Sequence, residues 1–174
     1  MSVKPTFTAI DFETANFQKN SACQLGLAVV RAGRIVERKS WLIKPPTSYF
    51  TFTYIHGITY EKVKSEPTFG VLWPEIQPYI ENQIIAAHNA SFDTGVLLAA
   101  LKTYQFAIPE FQVIDSLQVA RKVWPKLNNH KLSTVADYLK IDLNHHEAES
   151  DAVACAEILC RVGWDHVAIK TVGM

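Results

Sequence analysis

Short apolar runs open the chain, and apolar residues at helical spacing dominate its second half. Phe7 to Phe12, Cys23 to Val30 and Ile35 to Ile43 read as strands, the last two separated by a turn at Arg31-Ala32-Gly33. The pattern predicts an antiparallel three-strand opening. Lys44 to Ser48 carries Pro45-Pro46 and reads as a loop, leading through the aromatic run YFTFTYIHGIT to a helix from Thr68 to Tyr79. After a strand over Gln83 to His88, the segment Phe92 to Tyr104 places Val96, Leu97, Ala100 and Leu101 on one helical face. A short strand near Gln112 to Ile114 and helices over Ser116 to Val123, Ser133 to Leu139 and Glu147 to about Val162 follow. A meander followed by strands alternating with helices predicts one α/β domain over residues 1–174. Its mixed central sheet is expected to be antiparallel in the first three strands and parallel later, flanked by helices. Lys170 to Met174 read as a loose tail beyond a core of about residues 6–165.

The first strand contains an anomaly. In TFTAIDFETAN, Asp11 and Glu13 project to one face while Ile10 and Phe12 project to the other. Two like charges about 4 Å apart repel by roughly 1 kcal/mol in water and roughly 4 kcal/mol at a partly buried site. Either a cation offsets that repulsion or one acid holds a proton.

Composition narrows the chemistry. With 48% hydrophobic and 20% charged residues over 174 positions, the chain is a folded protein with a full core. Lys plus Arg and Asp plus Glu each total 17, which argues against coating nucleic acid through a global positive field and leaves a local site open. Cys23, Cys155 and Cys160 form no CxxC pair and suggest neither a disulfide framework nor a zinc knuckle. No secretory signal or bilayer-length apolar run is present, so a cytoplasmic protein without membrane association is expected.

Two further acids occupy unusual places. Asp93, in AAHNASFDTGVLLAAL, falls in the first turn of a predicted helix, where the helix dipole alone favours it by roughly 0.3–1 kcal/mol. Asp151, in NHHEAESDAVACAEIL, begins an apolar stripe that continues through Ala154, Cys155 and Ile158. Five residues of helix rotate by about 140°, so His146 reaches the side of Asp151 only from the preceding loop. There it could serve as a general base or simply lie in solvent. Four carboxylates from separate elements, Asp11, Glu13, Asp93 and Asp151, form a hard-oxygen set suited to Mg²⁺ or Mn²⁺. Two such ions would clamp the attacking and leaving oxygens of a displacement at phosphorus.

Three motifs carry a resemblance: Asp11-Phe12-Glu13-Thr14, then His88-Asn89-Ala90-Ser91-Phe92-Asp93, then His146-Glu147-Ala148-Glu149-Ser150-Asp151. In order and interval they resemble the DEDDh 3′-to-5′ exonucleases, which include the proofreading epsilon subunit of bacterial DNA polymerase III, RNase T and oligoribonuclease. The similarity runs from Phe7 to about Val162. It implies an RNase H-like fold, with Asp11, Glu13, Asp93 and Asp151 binding two divalent metal ions and His146 activating water. It further implies that Ile55 and His56 line the terminal-nucleotide pocket, that Thr14 and Ala15 present backbone to that nucleotide, and that Asn89 and Phe92 form another wall. The DFETAN and SACQLG segments are most similar to short, free-standing epsilon-like exonucleases, and with little chain after the third motif a tethered replisome subunit is not expected.

The expected substrate is the 3′ end of single-stranded nucleic acid, DNA ahead of RNA, with release of nucleoside 5′-monophosphates. Trimming of short RNA, or a catalytically silent nucleic-acid-binding accessory role, are the alternatives. A homodimer and a polymerase or repair partner both stay open. His145 competes with His146 as base, but only His146 has the family interval to Asp151. Asp115 reads as a helix N-cap, and Glu147 and Glu149 as first-turn acids. Arg121, Lys122, Lys126, His130 and Lys131 either meet substrate phosphates or form a solvated helix end. Tyr49, Phe50, Phe52 and Tyr54 alternate as packing residues would.

Overall fold

The computed structural model describes residues 4–164 and 167–173. Strands β1 (Phe7–Thr14), β2 (Ala22–Arg31) and β3 (Arg34–Leu42) form the expected antiparallel meander, closed between β2 and β3 by Ala32 and Gly33, both with positive φ. The short helices α1 (Thr53–His56) and α2 (Tyr60–Val63) follow, then α3 (Phe69–Ile76), β4 (Ile84–Ala87) and α4 (Ala90–Thr103). Next come β5 (Phe111–Asp115), α5 (Ser116–Val123), α6 (Leu132–Leu139), α7 (Ala148–Cys160) and β6 (Lys170–Val172). The sheet order is β3-β2-β1-β4-β5-β6, with β4 parallel to both β1 and β5. Among the described residues no helix is long and apolar enough to cross a membrane.

The period-2 alternation of β1 divides the core into two layers. Ile10 and Phe12 pack with Phe69, Trp73 and Ile76 of α3 and Val96, Leu97 and Leu101 of α4. Phe7 and Ala9 face the other way, onto Val119 of α5 and Cys155, Ala156 and Leu159 of α7. Asp11 and Glu13 continue the Phe7–Ala9 row and therefore point toward the α7 side.

Three expectations need revision. The predicted helix over Thr68 to Tyr79 ends at Ile76 and finishes as a tighter turn over Gln77–Tyr79, because Pro78 has no amide to extend the α-helical ladder. The aromatic run, expected to pack, does so only in part. Phe50 packs beside the buried cluster of Cys23, Ile58 and Val63, whereas Tyr49 and Tyr54 stay exposed. Lys170–Val172 is not a loose tail: it pairs antiparallel with Phe111–Val113, and Val172 packs on the core. That pairing covers an edge strand that would otherwise present unpaired backbone groups. Met174, the end of the expected tail, and Asp165 lie outside the described residues.

Candidate active site

The acidic centre assembles where β1 meets the start of α7. Gly26 of β2 is the cross-strand partner of Asp11. A Cβ on Gly26 would lie 2.2 Å from both the carbonyl carbon of Ala148 and the amide nitrogen of Glu149, so only glycine lets the first turn of α7 descend onto the sheet. Glu147 caps that helix, its carboxylate accepting from the Ser150 amide at 2.8 Å. The result places Asp151 against β1, 4% exposed, and one carboxylate oxygen each from Asp11, Glu13 and Asp151 lies within 4.8 Å of the others.

Asp93 enters from the first turn of α4. Its Oδ1 accepts the Phe12 amide at 2.8 Å, which fastens α4 to β1 between the two strand acids. It stands outside the three-carboxylate group that meets within 4.8 Å, yet its charge acts on both Asp11 and Glu13.

Burial is the main force raising the carboxylate pKa values here. It pushes Asp11 well up, helped by the charges of Asp93, Asp151 and Glu13. Burial, with Asp151 and Asp93 adding, pushes Glu13 up to about 8. Asp93 is also raised by burial, against the opposing Phe12 amide, and Asp151 is raised by burial against the pull of His145. Among the described residues, Asp11 Oδ2 is buried without a hydrogen-bond partner. An orphaned carboxylate oxygen in an all-oxygen acidic cluster fits divalent cations of the Mg²⁺ or Mn²⁺ type, whose charge would relieve the repulsion.

Two imidazoles overhang this cluster. His145 Nδ1 lies 3.1 Å from Asp151 Oδ2, and the His146 amide donates to the same oxygen at 3.2 Å. The rings stack with centroids 3.7 Å apart. His146 adopts φ +66°, a left-handed conformation that turns the chain just before the α7 cap. Among the described residues its ring makes no hydrogen bond, and burial, then the neighbouring His145, hold its pKa below 6.5.

A cleft of about 560 Å³ contains Asp11, Glu13, Asp151, His145 and His146. Asn89 and Phe92 are among the residues that line it. Thr14, Ala15, Ile55 and His56 do not line it. Ala15 donates its amide to Ser21 and accepts from the Thr51 and Phe52 amides, so its backbone is engaged within the protein. His56 is likewise occupied, accepting the Ile58 amide at Nδ1 and donating from Nε2 to the Thr14 carbonyl at 2.9 Å. Beyond β1, Phe17 stands 88% exposed with its ring edge against Phe52, 4.6 Å between centroids.

The basic group divides. Arg121, His130 and Lys131 line the acidic cleft; Lys122 lines a separate groove beside Lys170, and Lys126 another beside Trp124. His88 holds the basic wall in place. Its Nε2 donates to the His130 carbonyl at 2.7 Å and its Nδ1 accepts from the Ser116 hydroxyl at 2.8 Å. Asp115 caps α5 through the Leu117 amide and also accepts from Asn89, whose φ is +73°. In the sequence Gly26 has no assigned role and His88 is only the start of the motif that ends at Asp93. A glycine inside an otherwise apolar strand was the available signal for the first; the second depends on a contact across 42 positions that no local pattern encodes.

A family model described as Exonuclease, RNase_T, matches residues 8–159. The DNA polymerase III PolC-type of Clostridium perfringens is 32% identical over 157 residues, covering 88% of this chain but only 11% of the polymerase. The chain thus spans about a tenth of the length of such relatives. In fold it is similar to exonuclease X in complex with 5′ overhanging duplex DNA (TM-score 0.72, 24% identity, 88% of each chain). It is also similar to the nuclease domain of 3′hExo, a DEDDh family member, bound to rAMP (TM-score 0.79, 16% identity, 98% of each chain).

Proposed function

Because the chain belongs to the RNase_T exonuclease family, we propose that it hydrolyses the terminal phosphodiester at the 3′ end of single-stranded nucleic acid, DNA ahead of RNA, and releases nucleoside 5′-monophosphates. The observation that carries the reading is the convergence of Asp11, Glu13, Asp151 and His146 in one cleft, with Asp93 bonded to β1 beside them. Bound divalent cations, Mg²⁺ or Mn²⁺, would supply Lewis acidity at the phosphate and stabilise the departing 3′ oxygen.

The protein's own part is positional and basic. Asp11, Glu13, Asp93 and Asp151 would hold the cations from a rigid strand and two helix starts. His146, whose pKa burial and then the neighbouring His145 hold down so that its neutral form is favoured, takes the proton of the attacking water at a ring nitrogen. His145 is tied to Asp151 and orients that carboxylate.

Support for DNA comes from the PolC-type relative, a DNA polymerase by name; the rAMP in the 3′hExo structure favours RNA as the second reading. A side-by-side digest of matched DNA and RNA oligomers, single- and double-stranded, decides it. Faster loss of single-stranded DNA is expected, and a preference for RNA at equal length would replace that substrate assignment.

A further inference from the structure

The cleft is lined by groups of opposite sign, Asp11, Glu13 and Asp151 against Arg121 and Lys131. Among the described residues neither Arg121 nor Lys131 is in an ion pair. The basic lining is also built. A half-buried hydrogen bond from His88 holds the His130 carbonyl, the His130 ring donates to the Trp124 carbonyl at 2.9 Å, and Asn129 Oδ1 accepts from the Lys131 amide at 3.0 Å and from Thr134. Two cations sharing a cleft with an acidic cluster, Arg121 on the last turn of α5 and Lys131 at the end of a loop closed by its own hydrogen bonds, point to an anion held between the two groups.

We propose that Arg121 and Lys131 form a phosphate-binding subsite for the linkage on the 5′ side of the one being cut. The proposal rests on the exonuclease reading above and goes beyond it in assigning the two cations. A strand shortened from its 3′ end has no phosphate beyond the terminal nucleotide, so every uncut phosphate lies 5′ of the reacting one. The reacting phosphate belongs to the acidic cluster and its metal ions. The next phosphate needs a direct partner, and a guanidinium grips a phosphate with two parallel N–H donors where an ammonium gives one point charge. The ligand class is therefore an oligonucleotide with at least two charged linkages, in preference to a phosphodiester with only one.

The test compares two substrates on the full chain with Mn²⁺: the p-nitrophenyl ester of thymidine 5′-monophosphate, which has a single phosphate, and a short oligodeoxynucleotide. For Arg121→Ala the ratio of kcat/KM on the oligonucleotide to that on the ester should fall about 10- to 100-fold, the range of one lost charge-assisted contact, chiefly through KM. Arg121→Lys should recover part of it, and Lys122→Ala, outside the cleft, should leave the ratio at the wild-type value. The dependence of log KM on log salt concentration should flatten by about 0.7 for the phosphate contact removed. In the wild type, a neutral methylphosphonate at the penultimate linkage should reproduce the Arg121→Ala loss. Equal losses on both substrates, or no loss on the oligonucleotide, would overturn the subsite. A wild type that cleaves neither substrate would instead overturn the exonuclease reading itself.

Discussion

Asp11 and Gly26 sit opposite each other on β1 and β2, and the empty side-chain position of Gly26 is filled by the backbone of Ala148 and Glu149. One missing Cβ therefore sets how near Asp151 comes to Asp11. Gly26→Ala forces α7 away or strains the strand, at roughly 1–3 kcal/mol for an overpacked contact. The expected outcome is a Tm lower by several degrees and at least a tenfold loss of activity. A variant with wild-type Tm and turnover would show that α7 does not depend on this contact.

Asp93 has two separable roles, an acceptor for the Phe12 amide and a charge in the acidic cluster. Asp93→Asn keeps the acceptor and removes the charge. In chelator its Tm should equal or exceed that of the wild type, because a buried repelling carboxylate is gone. Its stabilisation by Mg²⁺ and its turnover should fall at least tenfold. Asp93→Ala should lose stability as well, since the Phe12 amide is left without a partner.

Glu13 titrates near 8 in place of its ordinary value of 4.5, and Asp11, Asp93 and Asp151 are raised too. An acid whose folded pKa exceeds its unfolded one contributes stability that is present below the unfolded pKa and lost as pH rises through the folded one. The metal-free protein therefore loses stability from these groups between about pH 4.5 and about 8. Added Mg²⁺ should restore it, raising Tm by about 2–4 °C more at pH 8.5 than at pH 6, the shift that about 1 kcal/mol produces in a domain of this size. His56 and His88, both lowered by burial, titrate in the opposite direction with and without metal and drop out of the difference. Thermal scans at both pH values check the sign; a smaller metal effect at pH 8.5 would refute it.

The stacked histidines separate by variant. His146→Ala should retain metal-induced stabilisation and lose about 10²- to 10⁴-fold in turnover, the range for a general base. His145→Ala should lose less, because its ring engages Asp151 and leaves the proton transfer to His146. Near-normal cleavage by His146→Ala, with a collapse in His145→Ala, would reverse the two roles.

How far these features were readable in the sequence follows from their range. The face shared by Asp11 and Glu13 came from the period-2 pattern, which is local, and Asp115 as a helix cap came from its place between strand and helix. The apolar pattern over Thr68 to Tyr79 overruns the helix because it does not register Pro78, which ends the α-helical ladder. Strand β6 was missed because Lys170–Val172 has little hydrophobic pattern and is ordered by an open edge of β5 far away in sequence. The division of the basic group was unreadable for the same reason: Arg121 and Lys122 are neighbours in the chain but open onto different grooves, a matter of helix rotation and packing.

The central claim, that the acidic cleft removes nucleotides from 3′ ends with the help of divalent cations, is tested most directly by one time course. A single-stranded oligodeoxynucleotide labelled at its 3′-terminal nucleotide is incubated with the protein in Mg²⁺, in Mn²⁺ and in excess chelator. Labelled nucleoside 5′-monophosphate should appear as the first product with either metal and be absent with chelator. Binding of the strand without any metal-dependent release of mononucleotide would contradict the account.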